Sequence, residues 1–185
     1  FRIGTHCTEG DITERHINYL KGKKKEVYGA MMMIHMTTTE TLLEECRKIE
    51  SYGADGIVLM DSVGYFTNDK VFELIGELNK KLNINVGFHA HNNLGMAITN
   101  SLDALRAGAK LLDASSAGLG AGAGNTQLEV LIAILNKKYK LAYSFEKIMV
   151  CANMIRKNYS KDLPKLDDSS IFSGLYGVFS GFKKH

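Results

Sequence analysis

Gly53-Ala54-Asp55-Gly56-Ile57-Val58-Leu59-Met60-Asp61-Ser62 and Gly108-Ala109-Lys110-Leu111-Leu112-Asp113-Ala114-Ser115 share one design. Each opens on a glycine suited to stopping a helix, continues through an alanine into a short apolar run, and closes on an acid and a serine. Such runs fit strands buried on both faces, and the preceding helix stop makes each the β half of an α-to-β connection. Outward from them the same order recurs. Val27 to Ile34 is an unbroken apolar run, and Thr39 is placed to cap a helix through Leu42, Leu43, Cys46 and Ile49 that Gly53 ends. Thr67 or Asn68 opens a helix through Val71, Leu74, Ile75 and Leu78. Asn85 to His89 reads as a strand, and Leu94 to Ala107 as a helix closed by Gly108. Phe1 to Thr5 reads as the tail of an earlier strand, followed by a helix from Asp11 to Leu20. Regular β-α-β-α order implies parallel strands with helices outside, as a barrel or a doubly wound sheet, and both place their chemistry at the carboxyl ends of strands. About five strands are found where a (β/α)8 barrel has eight in about 250 residues. The start in mid-strand at Phe1 favours a piece of a barrel over an open sheet.

Composition narrows the classes further. The 185 residues are 45% hydrophobic and 23% charged, enough for one packed core, with 23 Lys and Arg against 20 Asp and Glu. That balance argues against a nucleic-acid binder, and the one dense basic run, Lys21-Gly22-Lys23-Lys24-Lys25, reads as a solvated helix-to-strand turn. No apolar stretch approaches the roughly 20 residues of a membrane helix, and Phe1 to His6 is not a signal peptide. Cys7, Cys46 and Cys151 form no paired motif, which fits free thiols in a reducing compartment. The chain reads as soluble and cytoplasmic.

Phe88-His89-Ala90-His91-Asn92-Asn93-Leu94-Gly95 carries the chemistry. On a strand, residues two apart face one side, so His89 and His91 point together and Ala90 points away. Two neutral imidazoles so placed are half of a metal site, and equally the polar lining of a strand end. If metal binds, a set of two nitrogens plus oxygens suits Mn²⁺ first, then Co²⁺ or Mg²⁺. Asp113 and Ser115 face one side at their own strand end, as partners for the histidines or for nearby backbone. Asn92 and Asn93 could orient the site or start the following helix. The Gly118 to Asn125 loop lacks the lysine and threonine of a phosphate loop, so close backbone packing is expected of it, with Asn125 capping the next helix. His6 and His35 read as polar lining residues, and Met31, Met32 and Met33 as core filler.

The histidine stretch, together with Gly118-Leu119-Gly120-Ala121-Gly122-Ala123-Gly124-Asn125-Thr126, resembles the 4-hydroxy-2-oxovalerate aldolases. These are the metal-dependent pyruvate aldolase branch of a group that includes isopropylmalate synthase and hydroxymethylglutaryl-CoA lyase. The likeness runs from Thr5-His6-Cys7-Thr8-Glu9 through Met32 to Met36, Glu50 to Ala54 and Asp61-Ser62, to Tyr176-Gly177-Val178-Phe179-Ser180. It implies a (β/α)8 TIM barrel of which this chain supplies roughly the second half, strands 4 to 8. Residues 1–140 would form βα units and 141–185 a C-terminal helical extension. His89 and His91 would ligate Mn²⁺, with His89 also near substrate, and Ser62 would contact the substrate's carboxylate or keto group. Asp113, Ser115 and Asn93 would stand behind these. The implied reaction is retro-aldol cleavage of a 4-hydroxy-2-oxo acid to pyruvate and an aldehyde, in aromatic hydrocarbon catabolism. In it metal chelation of the 2-oxo acid stabilises the enolate left as the C3–C4 bond breaks, while a base takes the C4 hydroxyl proton and an aldehyde leaves.

Two departures from the family stand out. Its opening strand, with an arginine, a metal-binding aspartate and a histidine base, has no counterpart here, so no catalytic base lies in this chain. A tyrosine that lines the family's substrate site falls at Phe179, with Tyr176 nearby as a substitute. The family's segment that contacts an acylating aldehyde dehydrogenase would lie beyond His185. The chain by itself is therefore expected to be inactive. A catalytically incomplete half-barrel and a Claisen-type acyl transferase are the competing readings, and an Asp-x-Thr-Leu-Arg-Asp-Gly type segment upstream would establish the lyase.

Overall fold

A computed structural model describes residues 1–179. Five strands form one sheet: β1 (Arg2–His6), β2 (Tyr28–Met32), β3 (Gly56–Asp61), β4 (Asn85–Ala90) and β5 (Leu111–Asp113). The order across the sheet is β1-β2-β3-β4-β5, each strand beside the next in sequence. β1, β2 and β3 pair in parallel, with Gly29 opposite Ile57 and Met31 opposite Leu59. A doubly wound sheet reverses its strand order at a switch point. Here there is none, so the order is that of a barrel wall.

Helices connect the strands: α1 (Glu14–Gly22), α2 (Thr39–Ser51), α3 (Asn68–Lys81) and α4 (Ala97–Arg106). Three more follow the sheet, α5 (Leu128–Tyr139), α6 (Phe145–Asn158) and α7 (Asp168–Tyr176). The last two fall in the segment expected to be a helical extension, whose residues 180–185 lie outside the described residues.

The chain forms two compact units. The first comprises Phe1–Ser62, Phe66–His89 and Asn100–Leu112 and contains most of the sheet. Its core lies between sheet and helices. Met31, Ile57 and Leu59 project from the strands, and Leu42, Ile49, Val71, Ile75 and Leu78 meet them at helical spacing, each no more than 1% exposed. Burying each such side chain contributes about 1.5–3 kcal/mol. Gly29 is part of this packing, because a Cβ there would lie 2.8 Å from Ile49 Cγ2. Lys21 Nζ donates to both oxygens of Asp55 at 2.7 and 2.8 Å, and Asp55 Oδ2 accepts from Val27 N at 2.7 Å. The basic turn thus has one fixed member, holding the start of β2 against the start of β3.

Several boundaries differ from the expectation. Thr38, not Thr39, caps α2: its hydroxyl accepts from Thr41 N at 3.3 Å. β2 ends at Met32, because Met33 turns to a left-handed φ of 57° and Ile34–Met36 form a short 3-10 turn. Met31 is fully buried while Met32 is 40% exposed, so the three methionines do not fill one core; adjacent strand residues face opposite sides. The helix expected from Leu94 begins at Ala97, since Gly95 (φ 72°) closes a turn first. Asn92 Oδ1 accepts from Ala97 N at 3.1 Å, so Asn92 does start the helix. Residues 11–13 of the first expected helix are a 3-10 turn, Gly10–Thr13.

The second unit comprises Val63–Tyr65, Ala90–Thr99 and the chain from Asp113 onward. It gathers loops that follow strands together with α5, α6 and α7. Ser144 caps α6 through Lys147 N, and Asp167 caps α7 through Ser170 N at 2.8 Å. Glu129, 3% exposed on α5, accepts from Ala117 N at 3.1 Å and from Arg156 of α6.

Candidate functional site

Strand alternation sets the first imidazole. Phe88 and Ala90 are buried at 0% and 1% exposure, whereas His89 between them and His91 after them are half-buried. Gly87, two residues before His89, is closely packed: a Cβ there would lie 3.2 Å from Val58 Cγ2 and 3.0 Å from Leu111 Cβ. Ser62 follows β3. Its hydroxyl accepts from Met33 N at 2.9 Å and donates to Met60 O at 3.3 Å. The Cys7 thiol donates to Met33 O at 3.2 Å. The peptide groups around Met33 are therefore held on both sides, which keeps its left-handed turn in place. Burial, foremost, pushes the thiols of Cys7 and Cys46 above their ordinary range, which disfavours the thiolate form.

In the second unit the glycine-rich loop folds back on the histidine segment. Thr126 N donates to Ala90 O at 3.2 Å and Asn92 N donates to Gly124 O at 2.8 Å, which bracket His91 in an antiparallel bridge with Asn125. The His91 imidazole sits with Nδ1 3.3 Å from Ala121 O. The same return arm reaches the end of β5: Ser115 N donates to Thr126 O and Leu128 N to Ser115 O, each at 3.0 Å. The Ser115 hydroxyl donates to Leu119 O at 2.8 Å, and Asp113 is half-buried.

Asn93 is held on three sides. At 1% exposure it donates to Val63 O (3.0 Å) and Ser173 Oγ (3.1 Å) and accepts from Ala123 N (2.8 Å). A Cβ on Gly64 would lie 2.7 Å from His91 O, and one on Gly122 2.4 Å from Asn93 Oδ1. Phe179 is half-buried after Gly177, while Tyr176 is 61% exposed with its ring centroid 4.4 Å from that of Phe172. Ser180, the end of the expected motif, lies outside the described residues.

Asn125 was expected to cap the next helix and does not: α5 starts at Leu128 after Gln127. Its amide donates to Leu119 O at 3.2 Å, and its Oδ1 is buried with no hydrogen-bond partner. A buried amide oxygen without a donor costs about 1–3 kcal/mol, and this one belongs to the residue bridged to His91. The signal in the sequence was its place at the end of the glycine run, which looks the same for a cap as for a ligand. No three His, Cys, Asp or Glu side chains among the described residues come together as an ion site. Imidazole nitrogen and amide oxygen are both atom types a divalent cation accepts; the half-buried His89 of the first unit and, in the second, His91 and Asn125 carry them.

An unswitched parallel sheet with polar groups gathered after its strands defines a protein of the barrel-forming α/β class, with its chemistry at the strand ends. The HMGL-like family model matches residues 9–155, and the chain belongs to that family. It is 49% identical over its whole length to a 4-hydroxy-2-oxovalerate aldolase of Pectobacterium atrosepticum and 46% identical over 99% of its length to one of Spirochaeta aurantia. It spans 54% of each relative, about half their length. Among solved structures, the N-terminal domain of a candidate aldolase from Bacteroides vulgatus superposes with a TM-score of 0.88 at 26% identity, over 97% of this chain and 60% of that one. The Bacillus subtilis HMG-CoA lyase does so at 0.78 and 18% identity, over 89% and 64%, which supports the fold.

Proposed function

We propose that this chain provides strands 4 to 8 of a (β/α)8 barrel that cleaves 4-hydroxy-2-oxo acids, 4-hydroxy-2-oxopentanoate foremost, to pyruvate and an aldehyde. The observation that carries this reading is the 49% identity over all 185 residues to a 4-hydroxy-2-oxovalerate aldolase. Five neighbouring strands in a chain spanning 54% of that relative agree with a barrel completed elsewhere. His89 and His91 would hold a divalent cation, Mn²⁺ before Co²⁺ or Mg²⁺, and the orphaned Oδ1 of Asn125, a residue bridged to His91, is an oxygen of the type such an ion accepts. Such an ion supplies Lewis acidity toward the 2-oxo group when bound.

The chain's own residues do the rest of what it contributes. The neutral imidazoles offer lone pairs, and the Ser62 hydroxyl stands at the end of β3 for the substrate's carboxylate or keto oxygen. Asp113 and Ser115 back the histidines from the end of β5. Phe179 would offer an apolar ring to the substrate, with Tyr176 as the nearby phenol. The proton-transfer base comes from the remainder of the barrel. A cytoplasmic setting and an acylating aldehyde dehydrogenase, which would consume the aldehyde, complete the proposal.

The test uses the full-length protein with Mn²⁺ and 4-hydroxy-2-oxopentanoate, with pyruvate read by coupled NADH oxidation. Pyruvate release is expected, falling to background in both His89→Ala and His91→Ala. Turnover unchanged in either variant would remove the metal role assigned to that histidine.

A further inference from the structure

The glycine-rich loop and Asn93 are joined to His91 in a way the proposed reaction does not by itself require. Three constraints converge on that histidine within the second unit. Its backbone is fixed by the flanking bonds of Ala90 O and Asn92 N to the loop's return arm. Its ring faces Ala121 O through Nδ1. A carbonyl can only accept, so this contact selects the tautomer with hydrogen on Nδ1 and puts the lone pair on Nε2, the atom a metal would take. Ala121 is in turn held: its carbonyl also accepts from Gly124 N at 3.0 Å, and two residues on, Ala123 N donates to Asn93 Oδ1. Between them Gly122, at φ 62°, leaves no room for a Cβ beside that oxygen. Both hydrogens of the Asn93 amide are engaged, on Val63 O and Ser173 Oγ, so the side chain cannot flip to present nitrogen to Ala123.

We propose that Asn93 and Gly122 are positioning residues that seat the Ala121 carbonyl on His91 Nδ1 and so fix the ligand tautomer before any metal arrives. The proposal deepens the metal reading of His91 and rests on it. A ring already turned and already in the right tautomer binds without paying for reorientation, and hydrogen-bond partners of metal-bound histidines are typically worth 10–100-fold in affinity.

The experiment uses the full-length protein, metal-free and labelled with ¹⁵N-histidine, with His91 assigned by its loss in His91→Ala. Long-range ¹H–¹⁵N correlations report the tautomer, and Mn²⁺ titration followed by electron paramagnetic resonance gives the dissociation constant. The wild type is expected to show hydrogen on Nδ1. Gly122→Ala and Asn93→Ala are expected to mix the two tautomers and to weaken Mn²⁺ about 10–100-fold, with a retained cooperative melt certifying the fold. Hydrogen on Nε2 in the wild type overturns the proposal without any variant. So does a folded Gly122→Ala protein with unaltered tautomer and affinity. Wild-type Mn²⁺ affinity in His91→Ala instead brings down the metal reading beneath it, and that outcome is distinct because it leaves the tautomer spectrum of the unmutated protein untouched.

Discussion

Replacing Gly29 of β2 by alanine tests how the helix layer is seated on the sheet. The new methyl would lie 2.8 Å from Ile49 Cγ2 and 3.0 Å from Cδ1 of α2. Ordinary carbon contacts are about 3.5–4.0 Å, so Ile49 must leave its rotamer or α2 must lift. Overpacking of this kind costs about 1–3 kcal/mol. For a domain of this size that lowers the melting temperature by about 2–4 °C per kcal/mol. Ile49→Ala alone, by emptying a fully buried site, is expected to cost about 2–5 kcal/mol. In the double variant the added methyl enters the space that Ile49 vacates. The two losses should then fall short of additivity by about 1–3 kcal/mol. Urea unfolding of the full-length wild type, both single variants and the double variant closes the cycle. Additivity within about 0.5 kcal/mol would refute the claim that Gly29 is small because Ile49 rests on it.

Two further outcomes are expected. Lys21, and after it Val27 N, holds the Asp55 carboxyl below its ordinary 3.8. A depressed folded value means stability that is present above 3.8 and lost as pH falls through the folded value. Asp55→Asn should therefore melt earlier near neutral pH, the gap closing on the acid side; a gap independent of pH would exclude the carboxylate as its source. Maleimide should modify Cys151, which is exposed, before Cys7 and Cys46, whose thiols are buried and pushed up. Peptide mapping that finds Cys46 labelled first in the native protein would contradict that burial.

The punctuation of the chain was readable in advance wherever one residue type does one physical job. Gly53 and Gly108 both adopt positive φ at helix ends, and the runs they precede are β3 and β5. The spacing of Leu42, Cys46 and Ile49 described a buried face that α2 does bury. Reading failed where two conformations suit the same residues. An apolar run carries no mark of where extended backbone stops, so the left-handed Met33 lay hidden inside Val27 to Ile34. Thr38 and Thr39 are chemically equal caps, and only the helix phase separates them. The histidine pair could be seen as a pair, since alternation is local. The bracketing of His91 by residues 124–126 could not, because it depends on pairing across more than thirty positions. For the same reason Asn125 read as a helix start when its amide oxygen is the one left over.

The return arm imposes a rule on how this region can diversify. Residues 90–92 are laced to 124–126 while residue 115 is laced to 126–128, so one short strip serves two strand ends at once. Replacing the side chains of Leu119 and Ala121 leaves that lacing intact, whereas adding or deleting a position within 124–128 shifts the strip against one end or the other. Variation among descendants of this sequence should consequently accumulate by replacement at the loop's positions other than Gly120 and Gly122, with the length of the strip 124–128 held constant.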